Sequence, residues 1–109
     1  MSFHTDVWVQ PLGGDLLTLN DLRSDLIAYL DESRLSHDVF TNLVSACTEG
    51  RGYIALDSWS VLALFGVVAR LKPDIDFAVK GAGEEMRDIW VREFIGGQVG
   101  FQVGPFNEG

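Results

Sequence analysis

The chain carries a single cysteine, Cys47, among its 109 residues. That excludes an internal disulfide and any thiolate metal cluster built from this chain alone. Cys47 continues the spacing Phe40, Leu43, Val44, an apolar helical stripe on which a free thiol behaves as a small hydrophobe. Histidine is almost as scarce: His4 and His37 are isolated, no His-x-x-x-His or EF-hand spacing is present, and neither a metal nor another cofactor is expected. His37 falls at a predicted helix start, where the dipole disfavours an imidazolium and no fixed partner is evident. No serine sits in a Gly-x-Ser-x-Gly elbow, and Gly50-Arg51-Gly52-Tyr53 matches neither phosphate-binding glycine loop. Basic residues are few: 8 Lys and Arg face 16 Asp and Glu, for a net charge of −8, with no basic cluster. Such a surface repels phosphate backbones and argues against a nucleic-acid partner. It suits solubility, or steering toward a basic protein.

Long apolar runs are missing as well. From Trp59 to Ala69 only Ser60 and Gly66 are not clearly apolar, and this run falls short of the roughly 18–20 residues that cross a bilayer. No membrane span is therefore expected. The first residues, Met-Ser-Phe-His-Thr-Asp, lack the basic and apolar regions of a signal peptide. With the lone thiol, these features fit a reducing cytoplasm.

What is present is a globular pattern, 47% hydrophobic and 22% charged, sized for one domain over residues 1–109. Its organising stretch is DSWSVLALFGVVARLKP, residues 57–73. Asp57 or Ser58 can cap a helix here, Pro73 forbids its continuation, and apolar residues on every face predict a central helix covered on most sides. Gly66 then reads as a close-packing position, where leucine would overpack by roughly 1–3 kcal/mol.

Two helices precede it. From Asp15 to Glu32, Leu16, Leu19, Leu22, Leu26, Ile27 and Leu30 give an amphipathic helix starting after Asn20 as N-cap, or with an earlier turn around Asp15, and its polar side carries Asp21, Arg23, Asp25, Asp31 and Glu32. Ser36 and Gly50 bracket a second helix from about His37 to Glu49. Residues 6–10, DVWVQ, alternate as a short edge strand closed by Pro11, and Tyr53–Leu56 adds a short strand or extended arm.

After Pro73 the period changes to two. Asp76–Lys80 reads as a strand ending at Gly81-Ala82-Gly83. Two alternating runs then flank Gly96-Gly97, the signature of a two-residue hairpin. Centring the turn there pairs Phe94 with Val99, Arg92 with Phe101 and Trp90 with Val103, and places Trp90, Phe94, Val99, Phe101 and Val103 on the buried face. Arg92 is the exception on that face. It must lie at the rim, stack on a ring or meet a carboxylate. Gly100 reads as a bulge or a close backbone approach. Of the three tryptophans, Trp59 and Trp90 fall in the expected core and Trp8 is the freest. The expected fold is α+β: three helices, the third central and hydrophobic, packed on a C-terminal three-stranded antiparallel sheet, with an additional N-terminal edge strand.

The charged segment Glu84, Glu85 and Asp88 is the one place where paired carboxylates could do acid–base work. That chemistry needs one carboxyl in an apolar pocket and another kept ionised, whereas neighbours on a Gly-rich turn are both solvated. Catalysis is not expected. The segment GAGEEMRDIWVREFIGGQVGFQVGP, residues 81–105, is similar to small cognate immunity proteins encoded beside secreted bacterial toxins, including those of contact-dependent inhibition systems. The resemblance covers about a quarter of the chain and transfers no functional residue. It implies a stoichiometric inhibitor that covers a basic nuclease toxin with an acidic surface, for which Asp21, Asp25, Asp31, Glu32, Glu84, Glu85 and Asp88 are the candidate partner-binding residues. The alternative is a small oligomeric or ligand-binding domain, a homodimer sharing its central helix across a two-fold axis.

Overall fold

A computed structural model describes residues 5–13, 17–83 and 89–103. The described residues fold as an α+β domain with three α-helices and one five-stranded antiparallel sheet. Strand β1 (Thr5–Pro11) is followed by a single 3-10 turn (Asn20–Leu22) running into helix α1 (Arg23–Glu32), then α2 (Asp38–Glu49) and β2 (Arg51–Ile54). Helix α3 (Ser58–Leu71) leads into strands β3 (Phe77–Ala82), β4 (Ile89–Ile95) and β5 (Gln98–Val103). The strand order is β2-β1-β3-β4-β5.

Local chemistry explains the element ends. Asp57 Oδ2 accepts the Ser60 N–H (3.3 Å) and Oδ1 accepts the Ser60 hydroxyl (2.7 Å), which caps α3 as expected of an Asp before a helix. Ser36 Oγ accepts the Asp38 N–H at the start of α2 (3.2 Å), and Gly50 closes that helix at φ +84°. The start of α1 differs from expectation. No side chain caps it, and Asn20 is itself the first residue of the 3-10 turn. Gly96 and Gly97 take φ values of +60° and +82°, the paired positive angles of a type I′ hairpin.

The sheet is larger than the sequence suggests. The N-terminal strand is not an edge: β1 lies between β2 and β3, with Thr5 opposite Ile54 and Val9 opposite Val79. The short run after Gly50 supplies the edge instead. The helices lie to one side of the sheet, α2 against β1 and β2, α3 against β4 and β5, and α1 against α2. Val7, Val9, Ile54, Phe77, Val79, Trp90 and Phe94 point into that layer and are buried with Leu26, Leu30, Leu43, Val61, Phe65 and Val68 from the helices. Phe77 stacks on Phe94 (centroids 5.0 Å apart, 27° between planes) and meets Phe65 at a tilt (6.2 Å, 51°). Cys47 belongs to this core, and burial pushes its thiol up to about 12, so it stays protonated near neutral pH.

Two expectations about α3 and β5 are overturned. First, α3 is open along one side: Trp59 is 58% exposed, and a Cβ at Gly66 would meet only Arg70 Nη1, at 3.8 Å. Gly66 is thus no close-packing position. A helical glycine facing open space carries backbone entropy without a packing benefit. Gly66→Ala should raise stability by about 0.5–1 kcal/mol, read as a higher thermal midpoint; a lower midpoint would mean the helix is enclosed there after all.

Second, β5 does not bury its apolar residues. Phe94 pairs with Val99 as expected, but Glu93 then pairs with Phe101, Arg92 with Gln102 and Val91 with Val103, because the register shifts at Glu93/Phe94. Gly100 is the extra residue of this bulge, and its Cβ position lies 2.8 Å from Ile95 Cγ1, where only glycine fits. A one-residue slip exchanges the two faces of a strand. Phe101 and Val103 therefore point away from the helices and are exposed.

Candidate interaction surfaces

The seven candidate acids do not form one surface. Asp21 sits in the 3-10 turn, where its carboxylate accepts from Lys72 Nζ (2.9 Å). That hydrogen bond, opposed by slight desolvation, holds the Asp21 carboxyl below the usual carboxylate range. Asp31, near the end of α1, accepts from His37 Nε2 (2.6 Å), so the partner that sequence could not supply for His37 is an acid six residues earlier. Asp25 and Glu32 are exposed, seven residues apart and hence on one side of α1, with no ion pair among the described residues. Glu84, Glu85 and Asp88 lie outside the described residues.

A different surface emerges from the sheet. Among the described residues no helix lies on its second face, and the pairing register places six large apolar side chains there: Trp8, Tyr53, Ile89, Ile95, Phe101 and Val103, each between 40% and 55% exposed. Antiparallel sheets with one wet face usually alternate apolar-in with polar-out. This one does so on β1 and β3, where Asp6, Gln10 and Lys80 point outward, and abandons the rule on β4 and β5. Lys80 Nζ lies 5.5 Å from the Trp8 ring centroid, a cation–π contact that holds the indole against the sheet. Charges on this face balance: Asp6 and Glu93 against Arg51 and Lys80. At its margin β5, QVGFQV, contains no charged residue, and among the described residues no other strand pairs with its outer edge.

The helix side carries a groove beside the last hairpin. Where α3 departs from β4 and β5, a groove of about 360 Å³ is lined by Trp59, Gly66, Arg70, Arg92, Phe94 and Val99, with Tyr29 at its rim. Arg92 is half-buried, and its Nε has neither solvent access nor a hydrogen-bond partner among the described residues. Desolvation lowers its pKa. Of the three sequence options for Arg92, the rim is the one observed.

Among the described residues no three His, Cys, Asp or Glu side chains cluster as a metal site, and no helix is long and apolar enough to cross a membrane. Compared with known proteins, the chain matches no family model, no curated protein and no solved structure at a significant level.

Proposed function

We propose that this protein acts by binding another protein, and that the helix-free sheet face is the surface it presents. The observation that carries this reading is the cluster of exposed Ile89, Ile95, Phe101 and Val103 on the neighbouring strands β4 and β5, bordered by a charge-free edge, with Trp8 and Tyr53 farther along the same face beyond Lys80. Apolar side chains scattered singly need no explanation, whereas a continuous patch of this kind marks an interaction site. Tyrosine and tryptophan are also the residues that most often anchor interfaces.

The partner we propose is a basic toxin domain, neutralised by stoichiometric binding as a cognate immunity protein would do, without catalysis or cofactor. The net charge of −8 supports a basic partner, and the similarity of residues 81–105 to immunity proteins supports a toxin. In this arrangement the apolar sheet face supplies the desolvated centre of the interface. Acids outside it, Asp25 and Glu32 among them, steer the encounter. The alternative, a dimer sharing α3, has less support, because Val61, Leu62, Leu64, Phe65, Val68 and Ala69 are already buried within the domain.

The test is binding to the product of the adjacent gene. Nanomolar affinity that falls steeply with salt is expected, and Trp8→Ala or Phe101→Ala should weaken it by about 30-fold, the loss of one interface anchor. Absence of binding, or affinity unchanged in both variants, would overturn the reading; a concentration-independent monomer in sedimentation would remove the dimer alternative.

A further inference from the structure

We infer that the groove between α3 and the β4–β5 hairpin is a binding site for a monoanionic carboxylate carried on an apolar body, with Arg92 and Arg70 as its anion receptors. The surface involved lies on the helix side of the sheet, away from the proposed protein-binding face, so either assignment can fail alone.

Arg92 is the first reason. It occupies an inward position of β4 between buried Trp90 and buried Phe94, opposite Val79 on β3 and Gln102 on β5, with no carboxylate among these neighbours. A guanidinium drawn partly out of water without a counter-charge is unfavourable unless something supplies one. None of the described carboxylates forms an ion pair with it, although acids outnumber bases two to one in the sequence. Arg70 is the second reason. It lines the same groove, also without an ion pair among the described residues, and its Nη1 lies over the Gly66 backbone. Two like charges at one opening favour a bound anion between them.

The apolar body follows from the rest of the lining. Phe94, Val99 and the Trp59 ring offer hydrocarbon, and the absence of a side chain at Gly66 leaves the room. A volume of about 360 Å³ is at the lower end of small-ligand sites, enough for an aryl or short alkyl acid. A single charge is favoured over a doubly charged phosphate because the whole molecule is strongly negative. Planar guanidinium pairs with planar carboxylate in a two-pronged geometry, which gives the site its discrimination.

The experiment uses the intact protein and three probes sharing one ring: 4-phenylbutyrate, 4-phenyl-1-butanol and phenyl phosphate, titrated by calorimetry and by amide chemical shifts. The acid should bind with a dissociation constant below about 1 mM, reasonable for a ligand of this size, and at least about tenfold more tightly than the alcohol. Arg92→Gln and Arg70→Gln should each erode that preference, Arg92→Lys should restore part of it, and Gly66→Leu should block all three probes while the protein stays folded. The exposed Arg70 variant keeps the test decisive should Arg92→Gln fail to fold. An alcohol that binds as well as the acid, a preference intact in Arg70→Gln, or a tighter phosphate would each overturn the inference.

Discussion

Phe77→Ala should lower the stability of this domain by about 4 kcal/mol, the usual cost of removing a buried phenyl ring. Phe77 is fully buried at the start of β3, where its ring stacks on Phe94 of β4 and touches Phe65 of α3. It therefore joins the two sheet strands to the central helix at one point. Truncation removes the ring's own transfer energy and leaves a void that two other aromatic rings border. Offset and tilted ring contacts of this kind add about 0.5–1.5 kcal/mol beyond area burial. A small domain has only about 5–15 kcal/mol in total, so the variant would be near its threshold. Urea unfolding followed by far-UV circular dichroism measures it; a loss under about 1.5 kcal/mol would mean the rings repack to close the void. Because Phe94 also lines the groove, the same variant should loosen the groove floor and weaken phenylbutyrate binding.

The parts of the fold that were legible in sequence are those decided within a few residues. Asp57 and Pro73 bound α3, Ser36 and Gly50 bound α2, and Gly96-Gly97 turns the last hairpin, each through a backbone requirement that neighbouring residues satisfy themselves. The errors arise where the answer depends on chain far away. Alternation at Val7 and Val9 shows that a strand exists but not which strands flank it, so β1 looked like an edge and is interior. On β5 the alternation marks a strand, but the single inserted residue Gly100 inverts the faces beyond it. That inversion moved Phe101 and Val103 from the expected core to the surface now proposed for binding. The acids of the 3-10 turn and α1 are visible in sequence, yet the partners of Asp21 and Asp31, Lys72 and His37, come from later segments, and pairing reduces what these two acids can offer another molecule. Trp59 shows the remaining limit. An apolar run identifies a buried helix without saying which turn of it stays open, and that opening is where the groove forms.

Gly81→Ala should be the most damaging of the small substitutions, at about 3 kcal/mol, the upper part of the usual range for overpacking a core. Gly81 looked in sequence like the end of a strand, since Gly-Ala-Gly is a common break. It is instead an inward position in the middle of the sheet, paired with Val7 on one side and Trp90 on the other. An added Cβ would overlap Trp90 Cε2 and Cζ2 and come within 2.7 Å of Nε1, so the indole lies directly across the glycine. The ring has little freedom to yield, being 2% exposed within the core. A methyl group at residue 81 must therefore displace a large buried side chain or spread the strands. Trp90→Leu tests the cause. On its own it should cost about 2–3 kcal/mol through lost burial and a cavity, but combined with Gly81→Ala it should cost less than the sum of the two, because the removed indole makes room for the methyl. A coupling of at least about 1 kcal/mol in that direction is expected for residues in direct contact. Strict additivity would show that the alanine acts through β3 itself, by the backbone rather than by the ring it displaces.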